Sequence, residues 1–213
     1  MLSPSLQGTE RSAFELKFAL TPELQPAAMS WARSNMMPDS HADGEGCYQV
    51  STLYFDTPNL SMLNRERGFR TTKYRVRRYG TEDLTYFERK RKRGNRVRKV
   101  REAGAEPPSW FESERCARGL DPVLWVTYQR HAFVGEDGLR LTMDGDLRAW
   151  RTEEPGTYDR QGPLVIELKF HESLPVLFRT LIAELRLMPT ACSKYRVSMA
   201  HFVEPAEAVC RIS

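Results

Sequence analysis

Lys73-Tyr74-Arg75-Val76-Arg77-Arg78-Tyr79 is followed, after a short loop, by Tyr86-Phe87-Glu88-Arg89-Lys90-Arg91-Lys92. Both stretches alternate with period two, which sends successive side chains to opposite faces of a strand. One face of the first carries Lys73, Arg75 and Arg77, and one face of the second carries Glu88, Lys90 and Lys92. Arg93-Gly94-Asn95 then supplies turn chemistry, so that 96–101 returns as the second arm of a hairpin.

The same plan recurs far from this segment. In 13–20, Glu15 and Lys17 oppose Phe14, Leu16, Phe18 and Leu20. In 139–144, Arg140, Thr142 and Asp144 oppose Leu139, Leu141 and Met143; in 164–170, Glu167 and Lys169 oppose Ile166, Leu168 and Phe170. Stretches 48–55 and 126–133 bring the set to about eight strands. Helical patterns cover 21–36, opened by Thr21-Pro22-Glu23 as cap, first-turn proline and acidic residue, and also 108–118, 173–187 and 193–202. The fold class that follows is α+β, an antiparallel β-barrel tunnel with helices packed outside. At 213 residues the chain suits one domain, placed at 13–203, with a flexible start at 1–12 and a tail at 204–213. The Pro- and Gly-bearing stretches 38–46, 103–108 and 154–162 read as loops.

Charged alternate positions ordinarily mark the watered face of an antiparallel sheet. Here, however, Glu15 and Lys17, Arg75 and Arg77, and Glu88 and Lys90 sit two residues apart on several strands. A closed barrel whose outer wall is covered by helices would turn such faces inward. A lumen rich in arginine and lysine needs compensating charge, because buried ions require partners. A chain of phosphates supplies it: guanidinium forks grip phosphate oxygens bidentately and ammonium groups act as compact point charges. Glu15, Glu88, Glu167 and Asp144 serve no purpose in anion binding alone. They suit a hard divalent cation, Mg²⁺ or Mn²⁺, bridging phosphates.

Composition narrows the alternatives. The net charge of +4 arises from 32 basic and 28 acidic side chains, with the bases dense from Arg65 to Arg101. No stacking aromatics interleave them as single-strand nucleic-acid binders require. Cys47, Cys116, Cys192 and Cys210 form neither a CxxC pair nor a disulfide framework, which fits a reducing cytoplasm. No run of about 18 apolar residues implies a membrane span, and 1–11 lacks the pattern of a secretion signal.

Taken in order, a series of segments resembles the VTC domain of the CYTH or triphosphate tunnel metalloenzyme superfamily. These are Phe14-Glu15-Leu16-Lys17, Leu53-Tyr54-Phe55-Asp56-Thr57-Pro58, Lys73-Tyr74-Arg75-Val76-Arg77, Phe87-Glu88-Arg89-Lys90, Tyr128-Gln129-Arg130, Leu139-Arg140-Leu141-Thr142-Met143-Asp144, Val165-Ile166-Glu167-Leu168-Lys169 and Ser193-Lys194-Tyr195. The resemblance implies a polyphosphate polymerase that moves the terminal phosphoryl of ATP onto a growing polyphosphate chain with a divalent metal. It implies phosphate contacts from Lys17, Arg75, Arg77, Lys90, Arg130, Arg140, Lys169 and Lys194, hydrogen bonds from Tyr128 and Ser193, and metal carriage by Glu167. The hydrolase branch of that superfamily carries Glu-x-Glu-x-Lys on its first strand, where this chain has Ala13, Glu15 and Lys17. Ala191 stands where eukaryotic polymerases carry a lysine. A triphosphate hydrolase and a non-catalytic polyphosphate sensor therefore stay open beside the polymerase, and no protein partner is indicated.

Other residues read as structural. Tyr54, Phe55 and Phe87 are expected to pack, Asp56 to cap a turn, and His41, His131, His171 and His201 to be structural or exposed. The remaining bases of 91–101 are expected to form an exposed rim.

Overall fold

The computed structural model describes residues 9–40, 46–80, 83–153 and 156–203. In chain order these form β1 (Thr9–Ala19), α1 (Gln25–Asn35), β2 (Met37–Pro38), β3 (Cys47–Asp56), β4 (Thr72–Tyr79), β5 (Tyr86–Arg93), β6 (Arg96–Ala103), α2 (Ser109–Arg118), β7 (Asp121–Val134), β8 (Arg140–Arg151), β9 (Tyr158–Phe170), α3 (Val176–Glu184) and α4 (Lys194–Met199). Eight strands pair in the order β7-β3-β4-β5-β6-β1-β9-β8, and β8 pairs again with β7, closing an antiparallel barrel. The two-residue β2 is an addition on β7 through Met37 and Pro38. β1 begins earlier than 13, since Thr9 pairs with Arg101 and Arg11 with Lys99. Of the start expected to be flexible at 1–12, residues 1–8 lie outside the described residues, as does the tail 204–213.

The apolar faces build the outer wall. Phe18, Leu141, Ile166 and Leu168 are buried with Ala28 and Ala32 of α1 and Phe178 and Leu181 of α3. On another side Phe111 of α2, 1% exposed, meets Phe55, Tyr74 and Phe87 edge to face. Burying one such ring contributes about 1.5–3 kcal/mol. Phe55 and Phe87 therefore pack as expected.

The helix starts differ from the sequence reading in one place. Residues 21–24 form a turn, with Leu24 N–H donating to the Thr21 carbonyl, and the proline at the start of α1 is Pro26 rather than Pro22. α2 and α3 open behind Pro108 and Pro175, within the expected ranges.

α4 packs against one end of the barrel. Thr190 N–H donates to the Lys17 carbonyl, and Pro189 bridges to Phe18, so β1 leads the chain across the barrel end. Ser193 then caps α4 by accepting from the Arg196 N–H. Tyr195 and Met199 join the buried cluster containing Leu124 and Val126, which lie on the same face of β7 as Tyr128 and Arg130. The β7 face is thus polar at Tyr128 and Arg130 and apolar at Leu124 and Val126, where α4 packs.

A bulge in β8 assists this change. Register shifts on both sides of Gly145, where a Cβ would come within 2.6 Å of the Gly162 carbonyl oxygen. No other residue fits that approach. Thr142 and Asp144 are buried before the bulge, and Leu147 and Ala149 after it, so polar alternation gives way to apolar.

Candidate functional site

The barrel encloses a cavity of about 850 Å³. Among the described residues sixteen lysines and arginines line it, and only two carboxylates, Glu15 and Glu167, do so. The cavity is therefore cationic whatever local pairs form.

Cross-strand register explains where those pairs lie. Glu15 is opposite Lys169, and Lys17 opposite Glu167. Lys90 Nζ donates to Glu15 at 2.5 Å, Lys169 lies 3.6 Å from it, and Lys17 Nζ is 3.1 Å from Glu167. Burial and the neighbouring Glu167 would raise the Glu15 carboxyl, but Lys90, Lys169 and Lys17 bring it down to about 2. Burial likewise opposes ionisation of Glu167, and Lys17, Lys90 and Lys169 hold it well below the carboxylate range. Both acids are ionised at neutral pH.

Two further acids stand behind the wall. Glu88, fully buried, meets Arg75 Nε at 2.6 Å, Lys99 at 3.2 Å and Arg101 at 3.4 Å. Asp144 accepts from Arg130 Nε and Nη2 at 2.7 and 2.8 Å and from Lys194 at 2.5 Å. They orient cations that do line the cavity. Of the four carboxylates expected to suit a divalent cation, Glu15 and Glu167 line the cavity, whereas Glu88 and Asp144 are enclosed by their own cations.

The eight expected phosphate residues, Lys17, Arg75, Arg77, Lys90, Arg130, Arg140, Lys169 and Lys194, all line this one cavity, as do Tyr128 and Ser193. Arg140 is additionally held by Asp39 and donates to the Tyr48 hydroxyl at 3.0 Å. Tyr128 lies beneath Arg130 and Lys194, 5.4 and 4.4 Å from its ring centre. Ser193 accepts from Lys73 Nζ at 2.6 Å.

Arg77 differs from the other arginines. It is 5% exposed, donates to Thr52 Oγ1 at 3.1 Å and to the Tyr79 hydroxyl at 3.5 Å, and forms no ion pair with a carboxylate among the described residues. A desolvated guanidinium in no direct ion pair is a receptor for an anion, and Tyr128, Tyr79 and Glu88 nearby keep it protonated against the cost of burial.

A sequence model of the VTC domain matches residues 12–107 and 102–203, nearly the whole chain. The chain belongs to the VTC domain family. Solved structures agree on the fold of this VTC domain. A putative adenylate cyclase from Bacillus halodurans is 12% identical, with a TM-score of 0.58 over 86% of this chain and 95% of the other. The PH1819 protein from Pyrococcus horikoshii is 15% identical, with a TM-score of 0.55 over 89% and 99%. A putative adenylyl cyclase from Hippeastrum, described as having a dominant triphosphatase activity, is 14% identical, with a TM-score of 0.52 over 91% and 98%. No curated protein matches the sequence. Among the described residues no helix is long and apolar enough to cross a membrane.

Several cavity residues escaped the sequence reading. Lys99 and Arg101, expected on an exposed rim, line the cavity of the VTC domain and pair with Glu88. The period-two rule already placed 97, 99 and 101 on one face of β6, and Val97 lines the cavity with them. Tyr54, expected only to pack, both lines the cavity and meets the Tyr195 ring at 5.2 Å. His171 lines it too, with Nδ1 held at 3.1 Å from the Ser12 carbonyl oxygen. His41 lies outside the described residues. Asp56 behaves as expected, accepting from the Thr57, Met62 and Leu63 N–H groups and from the Tyr195 hydroxyl.

Proposed function

We propose that this VTC domain is a metal-dependent polyphosphate polymerase: the terminal phosphoryl of ATP passes to the end of an inorganic polyphosphate chain held in the cavity. The observation that carries the reading is the excess of cations over carboxylates on the cavity wall, with Arg77 buried and in no direct ion pair among the described residues. Transfer of a phosphoryl group through a loose transition state asks for alignment and charge neutralisation more than for covalent help. A terminal chain oxygen attacks the γ-phosphorus and the β–γ bridging oxygen leaves as ADP, so the reaction needs no side-chain nucleophile.

The donor set fits a divalent cation in a limited way. Glu15 and Glu167 are ionised oxygen donors close enough to perturb one another, and Mg²⁺ or Mn²⁺ commonly takes one or two carboxylates with substrate phosphates completing its shell. No group of three potential ligands occurs among the described residues, so the phosphates themselves would have to contribute. A bound cation there would neutralise charge on the transferring phosphoryl. Glu167→Gln is expected to lower metal-dependent turnover on the order of a hundredfold, about 2.7 kcal/mol of barrier, with a smaller change in triphosphate affinity. An unaltered metal titration in that variant assigns the cation elsewhere.

Incubation with ATP and Mn²⁺ or Mg²⁺, with products resolved by gel and by free-phosphate assay, tests the reading directly. Polyphosphate establishes the polymerase. Free phosphate alone identifies a hydrolase, a reading that Ala13 on the cavity wall disfavours. Binding without turnover identifies a sensor, which Ala191 on the same wall favours.

The lysines give binding a pH signature. Burial, with Lys17, Lys90, Arg75 and Lys194 nearby, depresses the Lys73 amine well below its ordinary value. Burial also brings Lys99 down to about 8, with Lys169 and Arg101 adding to it against Glu88. A polyanion restores both protons, so triphosphate affinity is expected to be highest below pH 8. It should fall as pH rises through that value, by up to about tenfold per pH unit for Lys99. Calorimetry at pH 8 in buffers of different ionisation enthalpy should register proton uptake. No uptake would mean that the lysines stay protonated in the empty cavity.

A further inference from the structure

Thr142 is the one cavity-lining side chain among the described residues whose buried oxygen has no hydrogen-bond partner. The residue is 4% exposed and lines the cavity, yet its Oγ1 is unpartnered. Its wall neighbours explain this. On β7 it pairs with Ala132, which offers no polar side-chain group, and on β9 it pairs with Glu167. Glu167 is engaged with Lys17, while Arg140 is engaged with Asp39 and Tyr48, and Asp144 with Arg130 and Lys194. These three polar neighbours are committed, and the hydroxyl, shielded in the cavity wall, is left without a partner.

A buried hydroxyl that satisfies nothing lowers stability, and an apolar residue of equal shape relieves that cost. Valine would fit the same pleat, so packing does not account for threonine here. We propose that Thr142 is a further ligand-binding residue, whose hydroxyl donates to a phosphoryl oxygen of a bound tri- or polyphosphate on the wall beside Glu167. This rests on the polyphosphate reading of the cavity and adds a neutral donor to its cations. A neutral donor is suited to that position. The adjoining Glu167 carboxylate repels phosphate oxygens, and a hydroxyl holds one there by direction rather than by charge.

The test compares Thr142→Val and Thr142→Ser with the parent chain, using tripolyphosphate and a long polyphosphate as probes and thermal unfolding of the ligand-free protein. Thr142→Val is expected to weaken both probes roughly tenfold or more, as befits a hydrogen bond to a charged acceptor. It is also expected to raise the unfolding temperature. Thr142→Ser should keep the affinity. The salt dependence of binding should be the same in all three, since no charge is removed. Equal affinity of Thr142→Val and the parent overturns the proposal, and so does a fall in its unfolding temperature, which would make the hydroxyl structural. Failure of the parent itself to bind either probe would sink the polyphosphate reading together with this one, and the parent titration identifies that case.

Discussion

Replacing Arg77 by methionine is expected to abolish triphosphate binding while making the empty protein more stable. The two effects have one origin. Arg77 is buried, and it donates to the hydroxyls of Thr52 and Tyr79. Its charge is therefore desolvated and in direct contact with no carboxylate among the described residues; burial works against it, and the nearby Tyr128, Tyr79 and Glu88 hold it protonated. Methionine has a similar reach and no charge, so the wall stays filled. Removing one partner of a buried charge pair costs about 2–5 kcal/mol of binding, which is roughly 30-fold to several thousand-fold in affinity. Relief of the unpaired charge is expected to stabilise the free protein by on the order of 1 kcal/mol, raising its unfolding temperature by about 2–4 °C for a chain of this size. Titration calorimetry with tripolyphosphate and a thermal melt read the two effects separately. An unchanged affinity would remove Arg77 from the binding wall. A destabilised protein would mean that its charge is already compensated in the fold. Arg77→Lys separates fork from charge: if the planar guanidinium matters, lysine restores only part of the affinity.

That contrast was only partly visible in the sequence. Period two placed Arg75 and Arg77 on one face, and it placed Glu15 with Lys17 and Glu167 with Lys169 correctly, because a strand has only two faces. Strand register was not legible. It decides that Arg75 lies against Glu88 whereas Arg77 lies against Thr52, and register depends on pairing across long separations. The same ignorance made Glu88 look like a metal carrier, although three cations from β4 and β6 occupy it. Lys99 and Arg101 were missed for a different reason. The dense bases of 91–101 suggested a uniform exposed rim, yet alternation held there as well. α4 was legible as a helix through Ser193, but its place across the barrel end follows from the edge pairing of Pro189 and Thr190 with β1. Nothing local encodes that pairing.

Asp144→Asn is expected to produce the largest loss of stability. Asp144 is 1% exposed and neutralises both Arg130 and Lys194. Burial opposes its ionisation, and those two cations hold it far below the usual carboxylate range. Asparagine keeps the shape and can accept one hydrogen bond, but it leaves two buried cations sharing a neutral amide. Breaking a buried pair in this way costs about 3–5 kcal/mol, or roughly 6–20 °C in unfolding temperature at about 2–4 °C per kcal/mol. Long polyphosphate supplies the missing negative charge at Arg130 and Lys194, which both line the cavity. It should therefore raise the unfolding temperature of Asp144→Asn by more than it raises that of the parent, since ligand that binds only the folded state stabilises in proportion to its affinity. Linkage sets the acid limb as well. The depressed carboxyl contributes stability at every pH above its unfolded value and loses it only in strong acid, so the variant should show a flatter acid unfolding profile. If polyphosphate rescued the variant no better than the parent, Arg130 and Lys194 would be held as structural cations rather than offered to a ligand.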